Sequence, residues 1–381
     1  MSAKHIDTSH VGSLPRSMEL AEVLIARDHG KQTDDAAFDA LVESEIESAL
    51  RNQIDAGVSI VSDGELGKVG YSTYMTERLS GFGDAHITRK PARHLANHPD
   101  LAKKLAAIMG SQEFVRAACI DQVKLVNLQP LHDDIRRFKA ALSHLDKPVK
   151  AFMNSASPGL ITAFQPNRYY PSHDAYLADL VDAMRAEYEA IVAAGFYLQL
   201  DCPDLAMSRH TGYQDLSDAE FVKIAAANIE ALNAATKNIA PEKMRMHLCW
   251  GNYEGPHDHD IPLTQVIDSI LKARPATVLF EAANPRHEHE WTVWRDADIP
   301  DNKVLAPGLI DTCSNYIEHP ELVAQRLQRF IDIVGVDRVL ASTDCGFGTF
   351  AGFGTIDPEI AYAKLTALSE GAQLASKAEG G

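Results

Sequence analysis

The chain has 381 residues, of which 45% are hydrophobic and 23% charged, with a formal charge of −17; this is the balance of a globular protein with a large core. Such acidity opposes nonspecific binding to nucleic acid or an anionic membrane, where Lys and Arg must neutralise phosphate, and no apolar run approaches the ~20 residues that span a bilayer. Five cysteines, at positions 119, 202, 249, 313 and 345, form an odd, widely spaced set that favours reduced thiols or metal ligands over a disulfide framework.

The N-terminus, MSAKHIDTSHVGSLPR, lacks the apolar stretch of a secretory signal, so we expect a cytoplasmic protein that works on small molecules. A homo-oligomer is compatible with this composition but not dictated by it. Short β-rich runs then alternate with long helical patterns. The candidate strands are residues 5–13, 58–65, 149–154, 197–203, 245–250, 277–282, 303–311 and 338–346. Between them, 173–194 carries amphipathic spacing and stops at Gly195; Ser217 and Glu220 form a capping-box signal; Pro320 reads as a first-turn proline. Eight βα units predict an α/β fold of the (β/α)8 TIM-barrel type, with a doubly wound open sheet as the alternative. The interval of about 66–147 exceeds one βα connection and has helical patterns at 98–109 and 131–144. It reads as an insertion between the second and third strands of a single catalytic domain.

The active site of such a barrel lies at the C-terminal ends of its strands. HVGS, SDGE, QLDCP, HLC, FEAANPR, GLIDTCSN and TDCGFG all fall at such ends. In MRMHLCWGN, residues 244–252, alternation along the strand puts His247 and Cys249 on one face. Glu281 ends the next strand and Cys345 the last. Any one of these could be simple core packing, since free Cys behaves as a small buried hydrophobe. Together, one imidazole, two thiolates and a carboxylate suit zinc. Zinc with two thiolates and a neutral histidine is formally uncharged. Such a site is a weak Lewis acid for hydrolysis, yet it can deprotonate a substrate thiol whose unperturbed pKa is ~8.5.

This ordered set, HxC followed by a strand-terminal Glu and then DCG, resembles the catalytic half of cobalamin-independent methionine synthase and its relatives, including epoxyalkane:coenzyme M transferases. The resemblance covers essentially the whole chain and implies the TIM barrel. It also implies that His247, Cys249, Glu281 and Cys345 hold Zn²⁺; that Val11 and Ser13 clamp a substrate carboxylate; and that Glu65 and Asp201 hold a substrate amino group. Glu281, displaced or joined by the incoming thiol, and Asp201 are the carboxylates assigned to catalysis. A purely structural reading would make these polar strand ends solvated loop caps.

The pattern also breaks in places. Cys202 stands where the family has a glutamate, Cys313 where it has an acid histidine, and no tryptophan follows residues 149–154, where Phe164, Tyr169 and Tyr170 are the nearest aromatics. The N-terminal half of full-length relatives has no counterpart here. These departures fall on the donor side, and a thiol at Cys313 is a weaker acid than histidine for a departing amine.

The runs WGNYEGPHDHDIPL and FEAANPRHEHEW look more like the short members grouped with epoxyalkane:coenzyme M transferases. We therefore expect a zinc-dependent thiol alkyltransferase that opens an epoxide with coenzyme M, with Arg16 available for the sulfonate and Tyr71, Tyr74 or His210 as proton donors. The alternative is homocysteine S-methyltransfer from a methyl donor; a zinc lyase or hydrolase and a structural-zinc barrel rank below both. PHDHD (256–260) and HEHEW (287–291) contain ligand-type residues, but as polar loops they read as solvated or pocket-framing. The glycine-rich CGFGTFAGFG lacks the spacing of a dinucleotide cradle and reads as close backbone packing around Cys345. Trp250, Trp291 and Trp294 fit either a pocket lining or barrel packing.

Overall fold

The computed structural model describes residues 5–83, 91–109, 117–352, 354 and 356–379; parts of the predicted insertion and the final two glycines lie outside these. In chain order the strands are β1 (Ile60–Ser62), β2 (Phe82–Gly83), β3 (Ala118–Cys119), β4 (Lys150–Ala156), β5 (Tyr197–Asp201), β6 (Met244–His247), β7 (Thr277–Phe280) and β8 (Val304–Pro307). Six of them form one parallel sheet in the order β1-β4-β5-β6-β7-β8, while β2 and β3 pair antiparallel in a small separate ribbon.

The sheet curls. Its edges are joined through two segments that contribute isolated bridges: Thr8 pairs with Ala341, Leu305 with Val339 and Gly308 with Ser342. The Ile60 amide donates to the Thr8 carbonyl at 3.0 Å. The predicted runs 5–13 and 338–346 thus occupy the places expected of first and last strands without forming regular ladders. Six buried side chains, Val11, Ile60, Phe152, Leu279, Ala306 and Leu340, pack together from segments all round this circuit. Contact between residues of non-adjacent strands requires them to face the inside of the curl. The larger apolar cluster fills the layer between sheet and helices.

Helices connect the strands as their end signals dictate. His173–Ala193 starts on the Ser172 side chain and ends before Gly195, whose φ of +99° suits only glycine. Asp218–Ala235 carries the full Ser217/Glu220 capping box, and Pro320–Val334 opens on its proline. Within 66–147 lie the helices Pro99–Met109 and Gln129–Ser143, close to the predicted spans. Parallel pairing aligns all C-terminal strand ends on one side: Ala156 lies beside Asp201, and Asp201 beside His247.

Candidate metal centre and substrate cavity

His247 is the last residue of β6, and the ladder runs one residue further because the Leu248 amide donates to the Leu279 carbonyl at 2.9 Å. Cys249 therefore leaves the strand on the face that His247 occupies. Cys345 arrives from the opposite side of the circuit. It is held by close backbone contact: a Cβ on Gly346 would lie 1.9 Å from Ser13 Oγ, and one on Gly348 would lie 2.5 Å from the Leu14 carbonyl oxygen. Glycine is the residue that permits this approach, as the packing reading of CGFGTFAGFG expects.

One donor atom each from His247, Cys249 and Cys345 lies within 4.8 Å of the others, and all three residues are buried. The Cys249 and Cys345 sulfurs are 3.9 Å apart. Two thiolates on a tetrahedral zinc, with bonds of ~2.3 Å, would sit about 3.8 Å apart, so the pair already has the spacing of a shared ion. The chemistry of the donors agrees. The neighbouring Cys345 thiol and burial together push the Cys249 thiol well above its usual range, and a dication at that point reverses the penalty. Burial lowers His247 to about 4, which leaves a neutral imidazole able to donate a lone pair.

Glu281 is not part of that close group. Its Oε1 accepts from the Trp250 amide at 2.7 Å and its Oε2 from Asn284 Nδ2 at 2.7 Å. The carboxylate is thus held beside the three donors by two hydrogen bonds that any approach to an ion must rearrange. Asp344 fixes the same loop: it accepts from the amides of Ala282, Ala283 and Asn284 at 2.8–2.9 Å. Neither Asn284 nor Asp344 emerges from the sequence reading, although both lie within three residues of an assigned ligand.

A cavity opens on this group, and its lining gathers Val11, Ser13, Glu65, Asp201 and Tyr71 with the three donors. Glu65 takes a φ of +56° after Gly64, a strained setting for a side chain with a Cβ and one that clusters at functional sites. Burial raises Glu65 to about 7 and Asp201 to about 6; the Asp201 charge adds to the cost of ionising Glu65, and the Lys68 ammonium eases both. Asn154 Nδ2 donates to both oxygens of Asp201, at 3.3 and 3.1 Å, and to the Val11 carbonyl at 3.0 Å; this orienting residue also escaped the sequence reading. The Val11 amide already donates to the Thr343 hydroxyl oxygen at 3.2 Å.

Other predicted residues lie elsewhere. Arg16 turns away from the cavity: its guanidinium donates to the carbonyls of Gly348, Glu65 and Lys68, and burial lowers it to about 10. It cross-links backbone, and the sulfonate-binding role is not what its side chain is positioned for. Tyr74 is tied to Glu187 at 2.7 Å, and His210 to the Trp250 carbonyl at 2.8 Å, so of the three proton-donor candidates only Tyr71 lines the cavity. Trp250 and Trp294 are buried packing residues, stacked on His287 and Phe280.

A second cavity of about 320 Å³ adjoins the first, sharing Asn252 and Cys345, and is lined among others by Glu281, His257 and Cys313. Cys313 Sγ lies 3.3 Å from Asn252 Oδ1, and burial raises its thiol well above the usual value. Of the two readings of the PHDHD and HEHEW loops, solvated or pocket-framing, the second fits PHDHD, whose His257 lines this cavity. His257 and His287 are buried and converge on the Asp260 carboxylate, at 2.8 and 3.0 Å. All five cysteines are free thiols, and among the described residues no helix is long and apolar enough to cross a membrane.

Comparison with known proteins follows the same lines. The chain is 25% identical to a methionine synthase of Pyrococcus horikoshii over 98% of its own length and 93% of the relative's. It is 26% identical to one of Pyrococcus furiosus, over 94% and 90%. These relatives carry the name methionine synthase rather than epoxyalkane:coenzyme M transferase, against the expectation drawn from the two polar runs. In fold, the chain is similar to a B12-independent methionine synthase of Shewanella sp. W3-18-1, solved with selenomethionine, with a TM-score of 0.74 at 19% identity and 99% of each chain covered. The family described as cobalamin-independent synthase, catalytic domain, matches residues 129–358. The chain belongs to that family, and it is an enzyme of this methyltransferase class.

Proposed function

We propose that this protein methylates the thiol of homocysteine, or of a closely similar amino-acid thiol, with zinc held by His247, Cys249 and Cys345 and with Glu281 as the exchangeable carboxylate. The observation that carries this reading is the charge of the cavity at the three donors. Its lining contains the two carboxylates Glu65 and Asp201 and, among the described residues, neither Arg nor Lys. An ammonium group between two buried, mutually repelling carboxylates removes the cost of ionising both. A sulfonate in the same place would add a third negative charge, and the nearby cations Lys68, Arg16 and Arg245 are already bound to backbone carbonyls. The coenzyme M reading therefore loses its support in the cavity as well as among the named relatives.

The residues divide the work by position. Glu65 and Asp201 bind and orient the amino group, with Asp201 held in register by Asn154. Val11 and Ser13 line the same space; Ser13 is suited to the substrate carboxylate, and the Val11 amide joins it by leaving the Thr343 hydroxyl. Zinc, when bound, supplies the dication that lets the acceptor thiol react as a nucleophile at neutral pH. The methyl donor is then placed in the adjoining cavity, on the far side of Cys345, where Cys313 and Asn252 face it. Tyr71 closes the acceptor side against Phe164 and Phe350, with ring centroids 5.7 and 5.3 Å away, which helps exclude water.

The experiment is a competition. Holoenzyme with stoichiometric zinc is titrated with L-homocysteine, its desamino analogue and coenzyme M, and binding is read by calorimetry. L-Homocysteine is expected to bind at least about tenfold more tightly than the analogue, equivalent to ~1.4 kcal/mol for the lost ammonium contact. Equal binding of the analogue, or tighter binding of coenzyme M, would overturn the reading.

A further inference from the structure

Behind Trp250, outside the acceptor cavity, lies a second group of metal-ligating side chains: His94, His210 and Asp260. One donor atom from each lies within 4.8 Å of the others. His94 and His210 are 0% and 1% exposed and the Asp260 side chain 3%. His94 Nε2 is 3.2 Å from Asp260 Oδ1, and His210 Nε2 is 3.6 Å from the same oxygen.

His210 Nδ1 is a buried polar atom with no hydrogen-bond partner, and His94 Nε2 and Asp260 Oδ1 meet only each other, at 3.2 Å and out of hydrogen-bond alignment. Buried polar atoms are nearly always paired, and an orphan calls for an explanation such as an ion. An unpaired nitrogen on His210 beside a misaligned His94–Asp260 contact leaves three donor groups that one ion would satisfy together.

The partners of the remaining atoms follow the pattern that orients metal ligands, in which the far side of each ligand is fixed by a carbonyl or carboxylate. His210 Nε2, the nitrogen nearer Asp260, donates to the Trp250 carbonyl at 2.8 Å, so the lone pair an ion would take is on Nδ1, on the far side of the same ring. His94 Nδ1 lies 3.3 Å from Asp258 Oδ1. Asp260 Oδ2 is anchored by His257 and His287, and His287 is fixed in turn by Glu290 at 2.9 Å.

We propose that His94, His210 and Asp260 form a second divalent-cation site, separate from the thiol-bearing one. Two imidazoles and one carboxylate are a donor set taken by zinc with a fourth, exchangeable position. Ligand atoms on a tetrahedral ion with bonds of ~2.0 Å stand about 3.3 Å apart, close to the His94–Asp260 separation. Its position points to a structural role. His94 comes from the region before β3, His210 follows β5 and Asp260 follows β6. An ion there would pin these segments together behind Trp250, whose amide holds Glu281.

The test uses the whole protein and zinc alone. Zinc-saturated, gel-filtered protein is expected to contain two zinc atoms per chain by mass spectrometry, falling to one in His94→Gln, in His210→Gln and, independently, in Cys249→Ala. A wild-type ratio of one, or a ratio of two that survives both histidine substitutions, would overturn the proposal. Cobalt titration of unmodified protein guards against misfolded variants. The sulfur-to-cobalt charge-transfer band should saturate with one equivalent while a second equivalent adds only weak ligand-field bands. Saturation at a single equivalent also overturns the second site.

Discussion

The two adjoining cavities share Cys345 and Asn252 but differ in how much of their chemistry is held in place. On the acceptor side, every wall residue that the resemblance points to comes from the end of a strand or its immediate extension. Asn154, Thr343 and the β5–β6 ladder lock Val11, Asp201 and His247 against one another. The donor side is built from longer loops, and a cysteine, Cys313, faces it where an acid would be expected. On the proposed function, thiol activation and amino-group recognition belong to the sheet itself, and donor choice belongs to loops, which can vary without disturbing the sheet.

The largest expected contrast lies in the metal ligands. Cys249→Ala or Cys345→Ala should lose zinc from the thiol-bearing site and abolish methyl transfer, as metal analysis and a product assay would show; full activity in a protein without that zinc would remove the acceptor side from the chemistry. Next come the carboxylates. Asp201→Asn and Glu65→Gln each remove one partner of a buried charge contact, a loss of ~2–5 kcal/mol, or roughly 30- to 4000-fold in kcat/KM for homocysteine. Zinc content should stay unchanged in both.

The pH dependence is a finer test of the same half. Glu65 and Asp201 are raised to about 7 and about 6 by burial, and the ammonium binds their ionised forms. Protonation therefore competes with the substrate, and KM for homocysteine should rise as pH falls through 7 and 6, by up to about tenfold per unit for each proton displaced. Asp201→Asn should flatten the lower part of that rise. The smallest effect is expected across the divide. Cys313→Ser should change kcat by well under the ~100-fold that loss of a general acid costs; a loss of that size would make the thiol the proton donor.

What the sequence made legible follows the same division. His247, Cys249 and Cys345 could be read because strand alternation and ladder order place such residues together before any coordinates exist. Glu65 and Asp201 were legible as strand-end polar residues, whereas Asn154 and Asp344 were not. Their roles depend on side chains reaching across to neighbouring strands and loops, which no one-dimensional spacing encodes. Arg16 failed for a related reason. A cation near a binding loop looks available in sequence, yet three carbonyls of the folded chain claim it. The segments 5–13 and 338–346 read as full strands but close the circuit with isolated bridges, because their polar ends turn into the site.

The most direct measurement is zinc-edge X-ray absorption of the holoenzyme with and without L-homocysteine, and with coenzyme M at the same concentration, in wild type and in His94→Gln to separate the two metal sites. Thiol activation of an amino-acid acceptor predicts one added sulfur neighbour at zinc with homocysteine and no change with coenzyme M. An unchanged zinc environment with homocysteine, or a sulfur added by coenzyme M alone, would contradict it.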